Sequence, residues 1–90
     1  MLQVSFVGKF KKDYKLCQKR GYNITLLQTA IDILAIPQPL PQKNKDHSLT
    51  GNYAEYRDCH LLPDWLLIYQ QTQDELILYR TGTHADLFGM

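Results

Sequence analysis

The stretch YRDCHLLPDWLLIY, residues 56–69, sets two carboxylates (Asp58 and Asp64), an imidazole (His60) and an indole (Trp65) around a Leu-Leu-Pro turn. His47 precedes it, and Arg80, His84 and Phe88 follow it. No serine or cysteine sits in a nucleophile motif, and there is no Gly-rich phosphate loop. Histidines, carboxylates and an arginine suit general acid–base work on a phosphodiester. RNA brings its own nucleophile, the 2′-hydroxyl. Cutting it takes a base for that hydroxyl, an acid for the leaving 5′-oxygen, and positive charge on the phosphate between them. Histidine fills both proton roles near neutral pH because its ordinary pKa lies close by. Arginine offers a planar fork of donors to the phosphate. Such a reaction needs no metal and no cofactor. A zinc centre would need about four ligands, and neighbours on a strand, such as Cys59 and His60, face opposite sides.

Each group also has a plainer reading. Asp64 after Pro63 suits a turn. Trp65 and Phe88 suit core or cover, Cys59 suits packing, and a single histidine is commonly a solvated side chain.

The elements that must position these groups follow from periodicity. LQVSFV alternates Leu2, Val4 and Phe6 with polar residues, as an opening strand does. KFKKDYKLCQKR gathers Phe10, Tyr14, Leu16 and Cys17 near one side, with most lysines on the other. That is an amphipathic helix, closed by Gly21. NITLLQTAIDILAI predicts a second helix capped by Asn23, with Leu27, Ala30, Ile31 and Leu34 as its buried stripe. Pro37 stops it. The short link between the two predicts a helix hairpin. A long polar loop carrying His47 comes next. Three strand-like runs follow, at 53–61, 65–70 and 76–82, joined by links short enough for antiparallel hairpins. The tail HADLFGM suits a short helical turn. The expected fold is α+β, β-α-α-β-β-β, with the helix hairpin on one face of a small antiparallel sheet. Strand alternation puts Tyr56, Asp58 and His60 on one face and Arg57, Cys59 and Leu61 on the other. Leu76, Leu78 and Arg80 share a parity on the last strand. The face away from the helices is expected to be open, with Asp58, His60 and Arg80 on it and His47, His84 and Phe88 converging there.

Ninety residues make one domain, 1–90, with one thin core. Hydrophobic residues at 44% and charged residues at 21% are ordinary globular values, which argues against disorder. No apolar run approaches the roughly 20 residues of a membrane span, and MLQVSFVGKFKK lacks signal-peptide order. A cytosolic protein is expected, with Cys17 and Cys59 as thiols. The net charge of +1 hides an asymmetry: residues 1–45 carry 8 basic and 2 acidic side chains, residues 46–90 carry 2 and 7. A basic face for phosphate and a separate acid–base site fit that split; so does a solvated basic helix beside an acidic sheet.

The stretches KDHSLTG, YRDCHLLPDWLLIY and RTGTHADLFG, with FKKDYKLCQKRGYN before them, resemble the signature stretches of YafQ-type toxins in the RelE/ParE superfamily, over nearly the whole chain. The resemblance implies an mRNA endoribonuclease (mRNA interferase) of a bacterial type II toxin–antitoxin system. Such toxins enter the ribosomal A site and cut the message there. The implied partners are a DinJ- or RelB-like antitoxin, the ribosome and mRNA, and operator DNA for the toxin–antitoxin complex; no membrane is involved. Carried over by position, His47, Asp58, His60, Asp64 and His84 match catalytic residues. Phe88 matches an aromatic that would stack on a base, and Arg80 a phosphate-binding arginine. Trp65 is a weaker match. The expected roles are His84 as general acid, on a tail free to close over the leaving group, with Asp64, His47 or His60 as base and Asp58 orienting an imidazole. Lys9, Lys12 and their neighbours up to Arg20, with Lys43 and Lys45, would grip ribosomal RNA. A ParE-like protein that binds gyrase shares the fold but needs no histidines, and an inactive toxin that only binds antitoxin is a further alternative.

Overall fold

The computed structural model describes residues 1–36, 44, 47–49 and 55–89. The elements run β1 (Gln3–Phe6), α1 (Gly8–Lys19), α2 (Ile24–Ala35), β2 (His47–Ser48), β3 (Arg57–Leu62), β4 (Trp65–Gln71), β5 (Glu75–Gly82) and α3 (His84–Phe88). The strand order is β1-β5-β4-β3-β2. The α+β expectation holds. The sheet, however, is mixed: β3, β4 and β5 pair antiparallel, and β1 joins β5 in parallel. The helices lie between β1 and the rest in sequence, and that long connection allows a parallel pairing that a tight hairpin cannot make.

The helices form where the apolar stripe demands. Asn23 caps α2 by accepting the Thr25 N–H at 3.1 Å, and Leu27, Ala30, Ile31 and Leu34 are all buried. On α1, Phe10 and Cys17 are buried, and Gly21 takes the left-handed conformation (φ 76°) that ends the helix. Leu16 turns outward instead of joining them. α1 lies against β5, and α2 against β3 and β5. Cys59, Leu61, Leu67, Tyr69, Leu76 and Leu78 supply the sheet side of this main core. Both cysteines are buried thiols, and burial pushes the Cys17 thiol up from its ordinary value. On edge strand β1, Val4 and Phe6 stay largely exposed rather than entering the core.

The second sheet face is not bare. Leu66, Ile68 and Leu87 form a small cluster there, with Tyr56, Tyr79 and Phe88 against it. Tyr56 and Tyr79 stack at 4.5 Å. The central strand β4, read as WLLIY, is therefore buried on both faces. No helix among the described residues is long and apolar enough to cross a membrane.

Candidate active site

The site gathers where the β3–β4 turn meets the end of β5. Leu62 pairs with Trp65 across a turn made by Pro63 and Asp64. The turn separates two neighbours. Trp65 enters the core, 1% exposed, and donates its indole N–H to Thr81 Oγ1 at 2.9 Å. Asp64 points outward. It accepts the backbone N–H of His84 at 2.9 Å, and its Oδ1 lies 2.6 Å from His84 Nδ1. These bonds from His84, the backbone one first, hold the Asp64 carboxyl below its ordinary range. At neutral pH it is a carboxylate, so Nδ1 of His84 carries a proton and Nε2 is the nitrogen left to exchange one with a ligand.

His84 opens α3, and the N–H given to Asp64 is one of the donors a helix start leaves without an intrahelical partner. Four residues later, Phe88 lies on the same helix side, 6.4 Å from the His84 ring. His60 comes from β3 and meets His84 edge-on, ring centroids 5.6 Å apart. The expected parity holds: Cys59 and Leu61 join the main core, while Tyr56 packs on the second face. A register shift follows His60, and Asn44 Nδ2 donates to the His60 carbonyl at 2.7 Å. Asp58 is 3% exposed. The register aligns His47, Asp58, Ile68 and Arg80 in one row across β2, β3, β4 and β5. His47 is described by its backbone alone; Lys43 and Lys45 lie outside the described residues.

Arg80 stands in the row of Asp58 and Ile68, on the expected face, but its parity and its partner depart from expectation. A bulge between Ile68 and Tyr69 breaks the parity of β5, so Arg80 no longer shares the side of Leu76 and Leu78. Its guanidinium binds Asp13 of α1, Nε–Oδ2 2.6 Å and Nη2–Oδ1 3.2 Å. Asp13 also accepts the Thr81 N–H. The cause is local: β1 pairs with β5 only as far as Leu78, and Asp13 serves the strand edge beyond it. Lys9 and Lys12 are exposed on α1, in the layer opposite the histidines.

Sequence reasoning missed Asp86, and it expected Arg20 to grip RNA with the lysines of α1. Arg20 pairs with Asp86 at 2.6 Å. Asp86 and Thr83 exchange side-chain and backbone bonds as a capping box at the start of α3. The Thr-His-Ala-Asp spacing of residues 83–86 is the signal that could have revealed the cap; nothing local marks the ion pair, whose partners lie 66 residues apart.

The sequence pattern of one family, described as bacterial toxin of type II toxin–antitoxin system, YafQ, matches residues 2–89. The chain belongs to the YafQ toxin family. It is 45% identical over 87 residues to the mRNA interferase toxin YafQ of Escherichia coli K12, covering 96% of this chain and 95% of that one. Among solved structures, YafQ from E. coli BL21(DE3) superposes with a TM-score of 0.94 at 42% identity, covering 99% of this chain and 100% of that one. A YafQ-family chain in the E. coli DinJ–YafQ toxin–antitoxin complex gives 0.91 at 44% identity, covering 98% of each. The RelE-like fold and the family expected from the motifs are thus established.

Proposed function

We propose that this mRNA interferase cuts mRNA in the ribosomal A site by metal-independent acid–base catalysis. The observation that carries this reading is the Asp64–His84 pair with His60 at its edge. The substrate's 2′-hydroxyl attacks the neighbouring phosphorus, and the bond to the 5′-oxygen breaks. His84 Nε2 delivers the proton to that oxygen. His60 takes the proton from the 2′-hydroxyl, with His47 beside Asp58 as the second candidate base. Asp64 fixes the tautomer and orientation of His84; already bonded there and held as a weak base, it does not suit the base role itself. Phe88 stacks on a base next to the cut. Lys9, Lys12 and Lys45 meet ribosomal RNA phosphates. Arg80 reaches the scissile phosphate only by sharing its guanidinium with Asp13 or leaving it.

The protein acts in the cytoplasm, where a DinJ- or RelB-like antitoxin neutralises it and carries it to operator DNA. The test is primer-extension mapping of one mRNA with and without programmed ribosomes. In-frame cuts only with ribosomes support the reading. Equal cutting of free mRNA removes the ribosome from it, and no cutting by folded protein removes the nuclease.

A further inference from the structure

The end of α1 and the catalytic tail share one fastening. Arg20, which closes α1, grips Asp86 with both terminal guanidinium nitrogens, Nη1–Oδ2 2.6 Å and Nη2–Oδ1 3.2 Å. The same carboxylate accepts the Thr83 N–H at 3.0 Å, while Thr83 Oγ1 accepts the Asp86 N–H at 3.1 Å. Asp86 also packs directly on Gly82, where an added Cβ would stand 2.9 Å from Asp86 Oδ2 and 3.0 Å from its Cβ. Arg20 in turn lies 5.9 Å over the Tyr22 ring, and Tyr22 packs on Trp65 at 5.0 Å. One carboxylate thereby ties α3 to the core through the end of α1. The next backbone N–H, that of His84, goes to Asp64. Two carboxylates from separate parts of the chain hold adjacent peptide groups at the start of α3.

A helix of five residues cannot hold itself, since isolated helices shorter than about 12 residues are marginal in water. Only Leu87 of α3 is buried. Outside ties must set its pose. We infer that Arg20 and Asp86 are positioning residues, a latch that holds α3 where His84 meets Asp64 and His60 and Phe88 stands beside them. The effect of the latch on rate rests on the proposed role of His84; its effect on α3 does not. An amide at position 86 would keep the cap but lose the charge, and a lysine at position 20 would keep the charge but lose the fork.

The test uses full-length toxin carrying Asp86→Asn, Arg20→Gln or Arg20→Lys. Three readouts are followed: exchange of the Leu87 and Gly89 amides, which bond to Thr83 and Ala85 carbonyls, the downfield Nδ1–H resonance of His84, and steady-state cleavage. The neutral variants are expected to speed exchange of those amides about tenfold while the sheet amides hold. They should weaken the His84 resonance and lower kcat about tenfold with KM within about twofold. Arg20→Lys should fall between. Unchanged exchange and resonance would overturn the latch. So would equal acceleration across the sheet, which marks a contact of the whole fold; faster exchange and a weaker resonance with unchanged kcat would uphold the latch on α3 and overturn the role of His84 in the reaction. If wild-type toxin cuts no RNA, the nuclease reading fails, and exchange and the His84 resonance still decide the latch.

Discussion

Asp64 takes two hydrogen bonds from a single residue: His84 gives its backbone N–H at 2.9 Å and its ring Nδ1–H at 2.6 Å. A turn residue and the first residue of a helix are thereby locked together, and the imidazole has one orientation. Removing the charge should cost rate rather than binding. In Asp64→Asn, kcat is expected to fall about a hundredfold with little change in KM. Steady-state cleavage with both constants within twofold of wild type would reduce Asp64 to a turn former.

Phe88 separates stacking from packing. It lies against the Leu66, Ile68 and Leu87 cluster and beside His84. Phe88→Leu keeps an apolar contact but removes the ring. Base stacking of about 1–3 kcal/mol predicts a KM raised about fivefold or more. Melting temperature should move little. An unchanged KM would make Phe88 cover only.

Trp65 is a residue of the fold. Its N–H reaches Thr81 Oγ1, which itself donates to the Leu66 carbonyl at 2.7 Å. Thr81→Val strands both buried groups and should cost about 1–3 kcal/mol in urea unfolding. A loss below about 0.5 kcal/mol would show that the hydroxyl is dispensable.

Acid should loosen the tail. Arg20 and the Thr83 N–H hold the Asp86 carboxyl well below its ordinary 3.8. A depressed pKa stabilises the fold fully above the ordinary value, and that stability is lost as pH falls through 3.8 towards the folded value. Wild-type stability should therefore drop more steeply below about pH 4 than that of Asp86→Asn, and the two curves should run parallel near neutrality. Parallel curves throughout the acid range would contradict the pairing in solution. The pair is partly exposed, with side chains at 34% and 24%, so added salt should narrow the difference.

Much of the site is readable along the chain because its determinants are local. Alternation puts His60 on the face opposite Cys59 and Leu61, Pro63 makes the turn that splits Asp64 from Trp65, and Asn23 caps where it should. Long-range choices are less legible. Nothing in LQVSFV says that it pairs with β5 in parallel. The bulge that takes Arg80 out of step with Leu78 depends on pairing with Ile68. The cover on the second face had a signal in WLLIY, a continuous apolar run of the kind buried on both sides. The tail expected to swing freely is a capped helix fastened by Arg20, a residue that reads in sequence as one more charge of a basic helix.

The most direct measurement is cleavage of a programmed-ribosome message by wild-type and His84→Ala toxin. EDTA is included, and magnesium is restored only to the level that ribosomes require. Antitoxin binding is measured on the same samples. Wild-type cuts at in-frame A-site positions are expected, with cleavage lost in the variant and its antitoxin complex intact. Undiminished cutting by a folded His84→Ala toxin would contradict the role of His84 as the acid.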